Sequence, residues 1–149
     1  MKNTLILSLM LLFATAVCMR CSAPTKPQSE SEQDQLLALL RPRVEKELGI
    51  QVNFEVRTLN ISGNWAFGDL VPRQKDGAAI DYTKTKLDPD LLEAFDDWVC
   101  ALWQKENTGE WKLITAILGA TDVPYGCWWK EFGVPKEVLP YAEVDCAYE

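Results

Sequence analysis

Apolar positions in residues 33–48 recur at three- and four-residue steps, with Leu36, Leu37, Leu40, Val44 and Leu48 on one stripe. That spacing predicts a helix, because a period of 3.6 places such positions on a common face. Ser31 or Asp34 can cap its start, and Gly49 can end it. Pro42 conflicts with the pattern. It removes a ladder bond and crowds the preceding turn, so a kink or break is expected near residues 38–41.

Residues 51–61 alternate instead. Val52, Phe54 and Val56 share one parity, and Leu59 and Ile61 the other. A flat strand cannot change parity, so a bulge is expected near Arg57 and Thr58. Gly63 and Asn64 fall at the tight turn before a second strand, residues 65–71, that ends at Pro72. Residues 73–86 read as a polar loop, and Asp88-Pro89-Asp90 as the cap of a short helical turn. A third strand over 98–105, a turn around Gly109 and a fourth strand over 111–118 follow. Both parities of 111–118 are apolar apart from Lys112, which predicts a central strand covered on both sides.

The stretch GATDVPYGCWWKEFGVP, residues 119–135, comes next. Thr121 or Asp122 can cap a helix that Pro124 opens, and Gly133 and Pro135 can stop it. Tyr125, Trp128, Trp129 and Phe132 would share one face of that helix. The expected fold is α+β, with an N-terminal helix, a curved four-stranded antiparallel sheet of two hairpins, and a short C-terminal helix.

The N-terminus has the pattern of an export signal. Lys2 precedes a run over residues 5–13 that is apolar except for Ser8. That run is too short to span a bilayer, and Ala14-Thr15-Ala16 offers a cleavage site. Residues 1–16 are therefore expected to be a signal peptide, with a later cut after Ala23 as the alternative. Residues 17–33 read as a flexible Pro- and Ser-rich linker, and residues 34–149 as a single domain. Cys18 is a candidate for lipid attachment, although Thr15-Ala16-Val17 departs from a lipoprotein motif; release by simple cleavage is the alternative. The expected location is periplasmic or extracellular, with membrane contact only through such an anchor.

Charge and composition narrow the function. The formal net charge of −7 repels phosphate, which argues against nucleic-acid partners. The chain has no histidine, which removes the usual general base, the Ser-His and Cys-His pairs, and most zinc and haem sites. No cofactor is expected. Six tryptophans imply a core or cavity rich in indole.

Several stretches, LRPRVEKELG, VNFEVRTLNISGNWAF, DGAAIDYTKT and GEWKLITAILGATDVPYGCWWKEFGVPKEVL, together resemble an uncharacterised family of secreted bacterial proteins. The resemblance covers residues 36–139 and implies secretion and a cystatin-like or NTF2-like layout, with no assigned activity. The glutamine-valine-glycine loop of cystatin inhibitors is absent, as is any histidine for the dyads of NTF2-like enzymes.

Candidate functional residues divide between chemistry and packing. Asp122 could be a buried base, but an N-cap explains an acid before Val-Pro-Tyr. Trp65, Phe67, Asp122 and Trp128 are the cavity candidates, and packing is the favoured account of the aromatic ones, which can also do both. Asp81 and Tyr82 could add polar groups to a cavity mouth, while Asp88, Asp90, Asp96 and Asp97 lack the spacing of a calcium loop. Export favours disulfides, with Cys127–Cys146 as the expected pair and Cys100–Cys127 as the rival. These features point to an exported, non-catalytic binding or structural domain with an unknown protein or small-molecule partner. The alternative is a small hydrolase or isomerase using Asp122 in a cone-shaped cavity.

Overall fold

Ser31 starts the first helix, in a computed structural model that describes residues 31–146. Its hydroxyl accepts from the Asp34 amide at 3.2 Å and donates to the Asp34 carboxylate at 2.6 Å. The helix, α1, spans Glu32–Leu48, so the last two residues assigned to the linker are helical. The expected break at Pro42 is not there. Pro42 lies on the exposed side of an uninterrupted helix, where water can satisfy the carbonyl its ring displaces. Gly49 ends α1 in a left-handed conformation, φ 73°, and donates to Glu45 at 2.8 Å. The signal peptide, the upstream linker and Cys18 lie outside the described residues.

Four antiparallel strands follow in the order β1-β2-β3-β4, an open sheet made of two hairpins. They are β1 (Asn53–Ser62), β2 (Trp65–Arg73), β3 (Val99–Lys105) and β4 (Trp111–Leu118). The expected bulge in β1 is present: Val56 pairs with Leu70 and Thr58 with Asp69, leaving Arg57 as the extra residue. β2 runs past Pro72, where β3 no longer flanks it and a missing donor does little harm. Short 3₁₀ segments at Tyr82–Lys84 and Pro89–Ala94, capped by Asp81 and Asp88, carry the connection between the hairpins.

The sheet is covered on both faces. α1 lays Leu36, Leu40, Val44 and Leu48 against Ala66, Leu70, Val99, Ala101 and Trp103, all buried. On the other face Trp65, Phe67, Cys100 and Leu102 lie under Trp128, Val134, Val138 and Leu139. The arrangement is α+β, with the short C-terminal helix α2 (Trp128–Glu131) in the second cover.

β4 corrects the sequence reading. It is an edge strand, pairing only with β3. It looks central because both its faces are covered, by α1 on one side and by the C-terminal segment on the other. Nor do its faces alternate without interruption, as a strand split into two fixed parities would. The pairing jumps from Leu102–Thr115 to Trp103–Leu113, so a bulge at Ile114 shifts parity. Leu113, Ala116 and Leu118 therefore pack toward α1, and Ile114 and Ile117 toward the opposite cover.

Candidate functional site

The chain leaves β4 at Gly119, where two demands meet. Its φ is 77°, and an added Cβ would stand 2.1 Å from the Phe95 ring. Gly119 donates to the Trp98 carbonyl at 2.9 Å and accepts from the Asp96 amide at 3.3 Å. The Trp98 indole donates to the Ala120 carbonyl at 2.5 Å. These bonds hold residues 119–125 beside the approach to β3.

Between them lies a cleft of about 370 Å³, lined by Arg57, Asp69, Asp96, Asp97, Trp98, Asp122, Val123 and Tyr125. Three of the lining residues have a clear structural reason to be there. Asp69 shares the parity of Trp65 and Phe67 on β2 and lies opposite Cys100 of β3, so it continues the second apolar face into the cleft. Arg57 is the bulged residue of β1, and a bulge re-aims a side chain. Tyr125 packs edge-on against Phe67, with ring centres 4.7 Å apart, and meets Trp98 at 6.3 Å.

Electrostatically the cleft is acidic and uneven. Asp97 is engaged, since Arg73 bridges it at 3.3 Å to Glu55 at 2.8 Å, and the Tyr82 hydroxyl donates to it. Asp69 is different. Its Oδ1 is buried without a hydrogen-bond partner, and burial raises its carboxyl above the ordinary value, partly offset by the Arg57 charge. Burial, and then the nearby Asp69 and Cys100, raise the Tyr125 hydroxyl. The Cys100 thiol is pushed up to about 12 by burial, so it is an inert small hydrophobe.

The structure redistributes the sequence candidates. Trp65, Phe67 and Trp128 are packed in the second core cluster and do not line the cleft. Asp122 does line it, as an exposed residue, and it does not cap a helix. The expected two-turn helix is one turn, α2, preceded by Cys127 with no side-chain cap. Asp81 caps its own 3₁₀ turn, and Tyr82 reaches Asp97 from outside the cleft lining. Of the acidic loop residues, Asp96 and Asp97 reach the cleft, whereas Asp88 caps the next turn.

Sequence reasoning missed Asp69 and Arg57. The signal for Asp69 was a lone carboxylate in the otherwise apolar strand WAFGDLV. The signal for Arg57 is the bulge itself, because a bulge re-aims the extra residue's side chain.

The disulfide joins Cys127 to Cys146, leaving Cys100 buried and free. Among the described residues, the group of three metal-ligating atoms within 4.8 Å of one another is Cys127, Glu143 and Cys146, outside the cleft lining. Among the described residues, the carboxylates of the cleft form no such group. No helix of the described residues is long and apolar enough to cross a membrane. No protein-family model matches the chain, and neither a curated protein nor a solved structure matches it.

Proposed function

We propose that the protein is an exported, non-catalytic binding domain whose ligand is a small organic cation held in the cleft beneath residues 119–125. The observation that carries this reading is Asp69, with a buried carboxylate oxygen that has no partner, facing a cleft walled by Trp98 and Tyr125. A buried acceptor left unpaired costs about 1–3 kcal/mol, and a bound ammonium or guanidinium group would satisfy it. Asp96 and Asp122 add negative charge at the rim, and the aromatic rings offer cation–π faces. Arg57 restricts entry to ligands that keep their charge on the Asp69 side or carry an anionic second group. Export is supported by the apolar N-terminal run and by the Cys127–Cys146 disulfide, which suits an oxidising compartment. The resemblance to secreted bacterial proteins points the same way.

The test is calorimetric titration of the protein with spermidine, putrescine and choline, with glucose as the neutral control. Binding of at least one cation is expected, weakened about tenfold by Asp69→Asn, equivalent to about 1.4 kcal/mol. Binding of glucose alone, or cation binding unchanged in Asp69→Asn, would overturn the reading.

A second reading, a hydrolase or isomerase working through a carboxylate, moves from Asp122 to Asp69. Its support is the raised carboxyl of Asp69 in an accessible cleft, the property a proton carrier needs. Turnover of chromogenic ester or glycoside substrates, lost in Asp69→Asn, would favour it.

A further inference from the structure

A second cavity, of about 230 Å³, adjoins the cleft and is lined by Cys127, Cys146, Glu143, Asp145 and Gly126 among others. Three features of it bear on metal binding. The Glu143 carboxylate lies 3.5 Å from Cys127 Sγ. A disulfide sulfur carries no proton, so this carboxylate receives no hydrogen bond there. Glu143 forms no ion pair among the described residues, and the nearby Lys130 donates to the Cys146 carbonyl instead. Gly126 makes room for the arrangement: an added Cβ would stand 3.1 Å from Glu143 Cγ and 3.4 Å from its Cδ. Gly126 does not have a positive φ, so the space is the reason for glycine.

The segment is also fixed in place. The Glu143 amide donates to the Gly126 carbonyl at 2.9 Å, and the Trp129 indole donates to the Glu143 carbonyl at 3.0 Å. Two sulfurs and one carboxylate oxygen are thus held within 4.8 Å of one another. Zinc accepts such a set, at about 2.3 Å to sulfur and about 2.1 Å to oxygen. The separation of 5.6 Å between the Cys127 and Cys146 Cα atoms lets side-chain rotation alone part the sulfurs.

We propose that Cys127, Cys146 and Glu143 form a zinc site in the dithiol state, exchangeable with the disulfide. A dithiol reductant passes two electrons to the Cys127–Cys146 bond. That bond breaks, the two cysteines take up two protons, and the reductant becomes a disulfide. Zinc then displaces both protons and forms two Zn–S bonds, with Glu143 as the third ligand and water or Asp145 at the fourth position. Zinc itself has no redox role. Oxidation by disulfide exchange re-forms the bond and releases the ion. Both states strap residues 143–146 to α2, so the cover over the second core face is held in either.

The experiment uses the full chain with Cys18→Ser and Cys21→Ser, which removes the two thiols outside the described residues. The protein is reduced with a phosphine and titrated with Co²⁺, followed by competition with Zn²⁺. One Co²⁺ per chain is expected, with a thiolate-to-metal charge-transfer band that Zn²⁺ abolishes. The oxidised protein shows no band. Cys146→Ser loses the two-thiolate spectrum, whereas Glu143→Gln keeps it with affinity lower by about tenfold or more. Gly126→Ala, which displaces Glu143 but keeps both thiols, lowers affinity likewise. Circular dichroism on each sample separates metal loss from unfolding; a reduced protein that unfolds must recover its fold and its band together on adding metal. Absence of the band in the reduced protein overturns the proposal, as does equal affinity in Cys146→Ser or in Glu143→Gln.

Discussion

Replacing Trp128 by Ala tests whether the C-terminal segment closes a core. Trp128 is 2% exposed and meets three rings, Phe67 at 6.2 Å, Tyr125 at 6.1 Å and Phe132 at 6.0 Å. Truncating a buried Trp removes its transfer energy and leaves a cavity, together about 3–5 kcal/mol. The surroundings cannot easily collapse into that space, because Cys127, the next residue back, is tied to Cys146. The upper half of the range, about 4 kcal/mol, is therefore expected. Trp129 is the internal control. It is only partly buried, at the margin of the second core cluster, with one indole bond to the Glu143 carbonyl and the Lys136 ammonium 3.7 Å from its ring centre. Its loss should cost about 1–2 kcal/mol, from a modest hydrogen bond and an exposed cation–π contact. Urea denaturation followed by far-ultraviolet circular dichroism measures both, since fluorescence changes when either indole is removed. A fall in the midpoint at constant slope reports stability alone. Equal shifts in the two variants, or a shift under about 1 kcal/mol for Trp128→Ala, would refute a closed core beneath this segment.

Two further outcomes follow from the cleft. Asp69 has a raised carboxyl in the folded state, so folding favours its protonated form. Its contribution to stability is present below the unfolded value near 3.8 and is lost as pH rises through the folded value. Asp69→Asn should therefore flatten the decline of melting temperature over that rise and leave the protein at least as stable at neutral pH; an unchanged pH profile would contradict the assignment. Gly119→Ala combines a positive φ with a Cβ 2.1 Å from Phe95, so it should destabilise by more than about 1 kcal/mol, with Gly63→Ala, which has open space, as the milder comparison.

The fold was readable wherever polarity carried phase. In β1 the shift from Val56 to Leu59 exposes the bulge, because polar residues separate the two apolar sets. The same event in β4 is silent. Leu113, Ile114, Ala116, Ile117 and Leu118 are apolar on either side of the bulge, so the pattern looks the same before and after the shift. The edge position is hidden for a related reason. Covering both faces of an edge strand requires the same residues as covering both faces of a central one, and only the pairing partner distinguishes them.

The site was less readable because its residues come from four places that local pattern does not connect: a bulge in β1, the middle of β2, the approach to β3 and the exit from β4. Asp122 shows how a sound local rule can be displaced. An acid before Val-Pro-Tyr is a good cap only if a helix follows at once, and here the chain first makes three-residue turns, with the Gly126 amide donating to Val123 and the Trp128 amide to Tyr125, while the Gly126 carbonyl accepts from Glu143, 17 residues further along the chain. Asp69 could have been found by asking of β2 what Trp65, Phe67 and Val71 do not explain. A carboxylate on the buried parity of a strand flanked on both sides must find a partner, be neutralised or face a cavity. It has no partner at Oδ1, burial pushes it toward the protonated form, and it faces a cavity. A side chain that meets the last two conditions and fails the first is poorly justified by stability alone. Retaining it makes physical sense if the missing partner arrives with a ligand.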